Sequence, residues 1–236
     1  MTNIQGKFPS TRLRRNRMRE FSRRLVAENN LGSSDLILPL FVCEGDNVED
    51  PIQSMPGVNR YSIDKLLHRV EDAVRLSIPA IAIFPQIDTG LKNAQGSLAI
   101  DENNLVCRSI KSIKKEFSEI GIICDVALDP FTDHGHDGLL IDNKIDNDKT
   151  LEILEKQALV QVNAGCDVIA PSDMMDGRVG RIRKCLDNNN FQDTLILSYA
   201  AKYASGFYGP FRDAIGSGSN LGKDGKLTYQ MDPSNS

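Results

Sequence analysis

Several features are missing from this chain of 236 residues, and each absence removes a class of protein. No apolar run approaches the roughly 18 residues that suggest a membrane-spanning helix. The amino terminus has no apolar segment of the secretory type. The five cysteines are scattered without a C-x-x-C pair, which favours a reducing compartment over a disulfide framework. We therefore expect a cytoplasmic protein with no membrane partner.

Charge is distributed unevenly along the chain. Residues 11–24 carry seven arginines and one glutamate, whereas the net charge of the whole chain is −4. Nucleic-acid binding, a transit peptide or an arm that wraps an acidic neighbouring subunit would each explain such a run. Because the run offers little aromatic stacking surface and the remainder is acidic, we favour the subunit-wrapping arm and expect no nucleic-acid partner. We assign residues 1–32 to this arm.

The remaining residues, 33–236, alternate between strand-like and helix-like patterns. Short apolar runs predict strands at 36–42, 80–84, 121–128, 167–170 and 194–199, and apolar residues at helical spacing predict helices at 63–76, 104–120, 149–164 and 176–189. This alternation is typical of an α/β protein with a parallel sheet. Polar residues follow the strands, which favours a (β/α)8 TIM barrel. An open doubly wound sheet is the alternative, although no G-x-G-x-x-G follows the first strand.

The number of predicted strands is too small for a closed barrel. About five are found, whereas this type of barrel has eight. We therefore expect an incomplete TIM barrel and interpret the chain as a truncated product, a fragment or half of a split protein. The edge of such a sheet would be left open.

The most informative segment, residues 198–213, holds Lys202 at the end of an apolar strand, followed by a Gly/Pro-rich loop. Apolar surroundings lower the pKa of an amine, and a neutral amine can form a Schiff base with a ketone. Arg212 offers a planar fork for a carboxylate, so a small keto acid is the indicated substrate. The alternative is a surface lysine with its charge in water. The predicted pocket walls are the aromatic residues Tyr203, Phe207, Tyr208 and Phe211.

The loop after the third predicted strand is rich in titratable side chains. Residues 125–138 contain four aspartates and two histidines. Such a density indicates a metal or proton-transfer site. Since the loop has no cysteine, Mg²⁺ or a monovalent cation is favoured over zinc. A solvated loop whose Asp and His residues cap turns is the alternative.

Long motifs in this chain resemble the porphobilinogen synthase family, also called 5-aminolevulinate dehydratase. The matching segments are 12–24, 38–42, 54–57, 125–138, 170–179, 198–213 and 228–233. The resemblance implies a (β/α)8 barrel that condenses two molecules of 5-aminolevulinate to porphobilinogen with loss of two waters, in haem and tetrapyrrole biosynthesis. It also implies a homo-octamer held together by N-terminal arms.

The resemblance also assigns roles to individual residues. Lys202 matches one of two Schiff-base lysines, and Asp125 matches an active-site aspartate that is the best candidate for moving protons. Arg212 and Lys226 are expected to hold a substrate carboxylate. Further substrate contacts are expected from Phe211, Tyr208, Ser172 and Gln230.

The same comparison bears on the metal. Ala127, Asp129 and Asp137 stand where the zinc-dependent branch carries its cysteines, so the chain resembles the zinc-independent branch. This branch uses Mg²⁺, often allosterically, and sometimes K⁺ or another monovalent cation. Asp129 and Asp137 are therefore the candidate cation or proton-transfer residues, and no active-site zinc or organic cofactor is expected.

One departure from the family limits the expected activity. The second Schiff-base lysine and several downstream contacts of the family have no counterpart in the sequence. Because the advantage of holding two reactants together would be lost, we expect little activity from this chain alone. A non-catalytic fragment that joins a full-length octamer and another Schiff-base barrel, such as an aldolase, are the alternatives. The Gly-rich residues 216–225 are interpreted as a lid or as a plain surface loop.

Overall fold

The computed structural model describes residues 6–217 and 225–235. Within these ranges, short strands alternate with α-helices. The strands are β1 (Ile37–Val42), β2 (Glu49–Pro51), β3 (Asn59–Tyr61), β4 (Ala80–Pro85), β5 (Gly121–Val126), β6 (Leu139–Ile141), β7 (Lys144–Asp146), β8 (Val168–Pro171) and β9 (Leu195–Ile196). The helices are α1 (Glu20–Leu25), α2 (Ile63–Arg75), α3 (Leu105–Glu116), α4 (Asn147–Ala164), α5 (Arg178–Asn188) and α6 (Gly209–Ile215).

A seven-stranded sheet forms the wall of the protein, in the order β2-β3-β1-β4-β5-β8-β9. All neighbouring strands are parallel except β2 and β3. The five predicted strands are β1, β4, β5, β8 and β9, and they stand side by side in chain order. Among the described residues the sheet does not close, because β9 pairs only with β8 and β2 only with β3. This is the predicted open wall of five parallel strands, extended at one edge by β3 and β2.

The two faces of the sheet are covered differently. Alternate residues of a strand point to opposite faces. On β4, Ile81 and Ile83 belong to the main core, to which helices α2 to α5 contribute. Ala82 and Phe84 belong to a smaller apolar cluster, which Ile215 of α6 joins. A single layer of helices outside and a separate apolar surface inside is the arrangement of a barrel wall rather than of a doubly wound sheet.

Helix α4 fixes the end of β5, from which the aspartate-rich loop leaves. Its buried side chains Gln157 and Gln161 donate through Nε2 to the backbone carbonyls of Ala127 and Asp125, at 3.2 and 2.9 Å. The helix ends at Gly165, whose φ of 111° lies in the left-handed region that glycine favours after a helix. The backbone of Asp125 is therefore held from the helix side of the wall.

Helix α6 occupies a segment that was predicted to be a Gly/Pro-rich loop, and that prediction was wrong. Pro210 lies in the first turn, where its missing N–H costs no hydrogen bond. Gly216, with a φ of 64°, ends the helix. Arg60 of β3 donates to the carbonyls of Asp213 and Ala214, both at 2.7 Å, and so ties the end of α6 to the sheet.

Other element boundaries differ more modestly from the prediction. Helix α3 ends at Glu116 because Phe117, with a φ of −131°, has left the helical conformation. Strand β9 has only two residues, although the N–H of Leu197 continues the ladder to the carbonyl of Ile169 at 2.9 Å. The antiparallel hairpin of β6 and β7 was not predicted.

The N-terminal segment contrasts with the wall. None of residues 6–32 is buried, and Phe21 and Leu25 of α1 are 60% and 79% exposed. The boundary after residue 32 stays a prediction, with which this exposure agrees. No helix in the described ranges has the length and apolar character to cross a bilayer.

Candidate active site

The predicted site residues meet at the carboxyl ends of β5, β8 and β9. Ends of neighbouring parallel strands lie at one edge of a sheet, so residues distant in sequence come together there. Lys202, which follows β9, donates to the Ser172 carbonyl after β8 at 2.8 Å. Its Nζ also lies 2.7 Å from Oδ1 of Asp137, in the loop after β5. The alternative of a lysine with its charge in water is excluded, because Lys202 is only 9% exposed.

Four buried side chains of alternating charge form a continuous chain of ion pairs. Asp137 is fully buried and receives Lys202 on Oδ1 and Lys226 on Oδ2, both at 2.7 Å. Lys226 also contacts Oδ2 of Asp129 at 3.1 Å. We call Lys202, Asp137, Lys226 and Asp129 the ion-pair chain. Its two positive and two negative charges compensate one another, which buried charges require.

The ion-pair chain overturns the prediction that Lys202 has a lowered pKa. Burial opposes the ammonium charge, but the carboxylates of Asp137 and Asp129 outweigh it and raise the pKa of Lys202 well above its usual value. Burial likewise opposes the charge of Asp137, yet Lys202 and Lys226 outweigh it and lower the pKa of Asp137 to about 2. The aromatic residues near Lys202 in sequence suggested an apolar pocket, whereas its counterion comes from 65 residues earlier.

Tyr208 lies at the centre of the cationic side chains. The Nζ atoms of Lys202 and Lys226 and the Cζ atom of Arg212 lie 5.2, 5.6 and 5.7 Å from the centroid of its ring. These distances suit cation–π attraction. Phe211 packs against Tyr208 with a centroid distance of 5.2 Å and belongs to the inner apolar cluster. The structure thus places Tyr208 beside Lys202 and Phe211 beside Tyr208, and their role as substrate contacts stays a prediction.

The other two predicted pocket walls are wrong. Phe207 is 97% exposed and Tyr203 is 38% exposed. Phe207 lies in a 3-10 turn, Gly206–Tyr208, which places successive residues on different sides. Of the four aromatic residues near Lys202 in sequence, only Tyr208 and Phe211 therefore lie on its side of the segment as buried or half-buried neighbours.

Asp125 has the properties of a group that exchanges protons near neutral pH. Burial raises its pKa to about 7; Lys202 and the Ser172 hydroxyl lower the pKa, and Asp129 and Asp137 raise it. In the described part of the chain its Oδ1 has no hydrogen-bond partner. A carboxyl group with a pKa near the working pH suits general acid–base catalysis.

Several buried donors beside the ion-pair chain have no partner among residues 6–217 and 225–235. They are Nε of Arg212, Nε2 of Gln230 and Oγ of Ser217. The backbone N–H of Ser217 donates to the Arg212 carbonyl and that of Gln230 to the Lys226 carbonyl, and both Arg212 and Lys226 lie near the Tyr208 ring. Buried polar groups are normally paired, so this set suits an anionic ligand.

Sequence reasoning missed Ser217, Tyr229 and Lys92. The Tyr229 hydroxyl donates to Oδ2 of Asp137 at 2.8 Å. Lys92 is half-buried and donates to the Gly216 carbonyl at 2.7 Å; burial lowers its pKa, and Asp129 opposes that shift. Tyr229 lay within a quoted motif and Ser217 within the Gly-rich stretch, but nothing in the sequence marked Lys92.

The arrangement of Asp129 and Asp137 does not fit a metal ion. Lys226 contacts both carboxylates, and Lys202 and Tyr229 take the remaining approach to Asp137. No three His, Cys, Asp or Glu side chains in the described ranges are grouped so that they could hold a metal. These aspartates therefore act as counterions of lysines.

The two histidines of the loop have different surroundings. His134 contacts the Ala94 carbonyl at 3.3 Å and accepts the N–H of His136, and burial lowers its pKa. His136 instead contacts the hydroxyl of Tyr229 at 3.1 Å. His134 thus joins the loop to the segment after β4, whereas His136 reaches the ion-pair chain. The predicted lid, 216–225, falls largely on residues 218–224, outside the described ranges.

Fold and site together define the class of protein: an incomplete barrel of the TIM type with a buried lysine at the carboxyl ends of its strands. A family model described as delta-aminolevulinic acid dehydratase matches residues 10–236. The chain belongs to this family, which is the one indicated by its motifs.

Individual relatives agree with the family model. The delta-aminolevulinic acid dehydratase of Bradyrhizobium diazoefficiens is 58% identical over 95% of this chain and 63% of its own length. A chloroplastic relative with the same name from Chlamydomonas reinhardtii is 43% identical over 95% of the chain and 60% of its own length. The chain thus spans about three fifths of these relatives.

A solved structure confirms the fold. The delta-aminolevulinic acid dehydratase (porphobilinogen synthase) of Toxoplasma gondii, in complex with the reaction product porphobilinogen, is 46% identical and superposes with a TM-score of 0.92. The similarity covers 96% of this chain and 64% of that structure. The predicted incomplete TIM barrel is therefore confirmed.

Proposed function

We propose that this chain binds 5-aminolevulinate at Lys202 as a Schiff base and serves the condensation of two such molecules to porphobilinogen and two waters. This is a lyase reaction of haem and tetrapyrrole biosynthesis. The observation that carries the proposal is the buried Lys202 in contact with Asp137, beside unpaired donors that suit a carboxylate. Family membership supports the choice of substrate.

Binding of the substrate would begin at its carboxylate. Arg212 has a buried Nε without a partner in the described ranges, and Gln230 has an unpaired Nε2. Lys226 lies near the same Tyr208 ring as Arg212, with Nζ 5.6 Å from its centroid. Charge-assisted hydrogen bonds to these groups would hold the carboxylate while Tyr208, Phe211 and Ser172 line the rest of the pocket.

Imine formation then requires Lys202 to lose a proton. Its neutral amine attacks the ketone carbon, and the resulting carbinolamine releases its hydroxyl group as water when the imine forms. Asp125 is the best candidate to exchange these protons, because its pKa of about 7 allows both protonation states near neutral pH. Asp137 stabilises the ammonium form and therefore sets how readily the amine becomes available.

Reductive trapping tests the proposal. Borohydride reduction in the presence of 5-aminolevulinate, followed by intact mass and peptide mapping, should give one adduct, at Lys202. The variant Lys202→Met should give none. The matched control Lys149→Met removes a lysine from the exposed surface of α4 and should keep the adduct. Absence of an adduct in the unmodified protein, or an adduct elsewhere, would contradict the proposal.

Turnover is a separate question from imine formation. The prediction that this chain alone forms little porphobilinogen can be checked with a spectrophotometric product assay, in which a normal rate would contradict it. An aldolase-type activity is the alternative for a Schiff-base barrel. Such an enzyme would also form reduced adducts at Lys202 with other ketones and would show no preference for 5-aminolevulinate.

We also infer self-association through the arm. The exposed apolar residues of α1 stand among arginines, and no residue between 6 and 32 is buried. A homo-oligomer, an octamer by resemblance to the family, would cover them. The arm would then be the oligomerisation element and not a nucleic-acid site.

The resemblance to the family also suggests a cation and a compartment. We propose Mg²⁺, or K⁺, at a position other than the Asp129–Asp137 loop, and no active-site zinc. Metal analysis after dialysis against EDTA, with each cation added back to the trapping assay, tests this. The five cysteines are free thiols, which supports a cytoplasmic setting that cell fractionation would check.

A further inference from the structure

The hydroxyl group of Tyr229 uses all of its hydrogen-bonding capacity at the ion-pair chain. It donates to Oδ2 of Asp137 at 2.8 Å and accepts the backbone N–H of the same residue at 3.3 Å. Nδ1 of His136 lies 3.1 Å from the oxygen. A hydroxyl has one proton and two lone pairs. Because the Tyr229 hydroxyl donates its proton to the hydrogen bond with Asp137, it accepts a hydrogen bond from His136. Tyr229 is thus a connecting group and not merely a ring that fills space.

Because of this hydrogen bond, the two oxygens of Asp137 accept different numbers of donors. Oδ2 receives the ammonium of Lys226 and the hydroxyl of Tyr229, whereas Oδ1 receives Lys202. A carboxylate that already accepts strong hydrogen bonds on one oxygen carries less charge for a donor on the other. The Tyr229 hydroxyl therefore weakens the hold of Asp137 on the Lys202 ammonium.

The ring of Tyr229 is fixed independently of its hydroxyl. It packs against the main core and lies edge-on to His136, with a centroid distance of 5.9 Å. Phenylalanine has the same ring, so Tyr229→Phe removes the hydrogen bonds while it keeps this packing. The contribution of the hydroxyl can thus be separated from that of the ring.

We propose that Tyr229 is a positioning residue for the Lys202 amine: its hydroxyl occupies one acceptor site of Asp137 and so limits how tightly that carboxylate holds the ammonium group. The proposal rests on the proposed function for the identity of the substrate, but not for the geometry. It predicts that loss of the hydroxyl makes the amine less available at any given pH.

Other charged and titratable groups face the same atoms. Lys202 faces the carboxylates of Asp137, Asp129 and Asp125, and its charge also acts on the phenols of two residues, Tyr208 and Tyr199. Tyr229 faces Asp137, Asp129 and His136. All of these groups remain in the phenylalanine variant, so a change in pH dependence is attributable to the missing hydroxyl.

Competitive labelling measures the availability of the amine without substrate. Formaldehyde and cyanoborohydride methylate neutral amines, and peptide mass mapping gives the rate at Lys202 across a series of pH values. In Tyr229→Phe the pH–rate profile should shift to higher pH by about half a unit, so the labelling rate at any one pH should fall about threefold. Tyr61→Phe is the matched control, because Tyr61 is buried on β3, three places from β5 in the sheet.

A second substitution keeps the test valid if Tyr229→Phe folds poorly. Fluorination of the ring of Tyr229 makes its hydroxyl a stronger donor, so Lys202 should be labelled faster than in the unmodified protein. An unchanged rate in both forms, or changes of the opposite sign, would overturn the proposal.

Trapping with 5-aminolevulinate separates this proposal from the proposed function. If both hold, the trapping rate in Tyr229→Phe also falls about threefold, with little change in the concentration that half-saturates it. If the labelling rates shift while no form gives an adduct, the positioning role stands and the assigned substrate is wrong. If an adduct forms at Lys202 but neither the labelling rate nor the trapping rate depends on the Tyr229 hydroxyl, the assigned substrate stands and the positioning role is wrong.

Discussion

The ion-pair chain and the N-terminal arm are both rich in charged residues, yet their surroundings are opposite. Lys202, Asp137, Lys226 and Asp129 are each at most 9% exposed, and every charge has a counterion within the same chain. In the arm, Phe21 is 60% exposed and none of residues 6–32 is buried. The charges of the ion-pair chain are therefore compensated within one polypeptide, whereas the apolar side chains of the arm are exposed to solvent.

This contrast separates two uses of charge. In the site, removal of one partner leaves another charge buried and uncompensated, which is costly. In the arm, water solvates each arginine, so loss of one changes little in the isolated chain. We therefore expect changes in the site to affect stability and chemistry, and changes in the arm to affect association.

The largest effect is expected for Asp137→Asn. This change leaves the ammonium groups of Lys202 and Lys226 without their shared counterion, and breaking a buried ion pair costs about 3–5 kcal/mol. Urea unfolding followed by circular dichroism measures the loss. The control Asp50→Asn breaks the pair with Arg60 at 2.6 Å, where Asp50 is 53% exposed, and should cost about 0–1 kcal/mol. Equal losses in the two variants would remove the distinction between buried and solvated charge.

A second effect, which depends on pH, is expected for Asp173→Asn. Asp173 is fully buried, and burial raises its pKa to about 7, against the hydrogen bond from the Met175 N–H and the charge of Arg178. Between pH 4 and 7 the folded protein thus keeps a proton that the unfolded chain has lost, so this carboxyl lowers the stability of the fold as pH rises. Asparagine does not titrate.

The stability of Asp173→Asn relative to the unmodified protein should therefore increase across this window, by up to about 1.4 kcal/mol per pH unit. Unfolding curves collected at intervals from pH 4 to 8 measure the difference. Asp193→Asn, at an exposed position, serves as the control. A difference that stays constant with pH would show that the Asp173 carboxyl ionises equally in the folded and unfolded chains.

The smallest effect on stability, with a distinct effect on assembly, is expected for the double change Phe21→Ser and Leu25→Ser. Both side chains are exposed, so the free energy of unfolding should change by less than about 0.5 kcal/mol. Sedimentation velocity should show weaker self-association. Phe207→Ser removes an exposed aromatic residue outside the arm and should leave association unchanged. A similar loss for both variants would mean that the arm has no special role.

Local patterns in the sequence were enough for much of the fold. The continuous apolar run of β4 and the helical spacing of apolar residues in α2 to α5 lie within single segments, so all five parallel strands were located. Helix α6 was missed because glycine and proline punctuate loops far more often than they begin and end a short helix. The hairpin of β6 and β7 has strands of three residues, too short for a periodic signal.

The sequence pointed to the four residues of the ion-pair chain, but not to their pairing. Lys202, Asp137, Lys226 and Asp129 were all named, yet their pairing depends on strand order and on separations of 65 and 97 residues. The pKa of Lys202 was predicted in the wrong direction because the sequence near it shows only aromatic neighbours. The role of Tyr229 was missed because its partner Asp137 lies 92 residues away in the sequence.

The tie between Arg60 and the end of α6 has a mechanical consequence. Arg212 lies on this short helix, and the carbonyls that follow it are clamped by an arginine from β3, 153 and 154 residues away in sequence. Arg60 also pairs with Asp50, so the clamp is itself braced against β2. The position of α6, and with it of Arg212, thus depends on the far edge of the sheet, and a mutation at that edge can disturb the proposed carboxylate contact without touching the pocket.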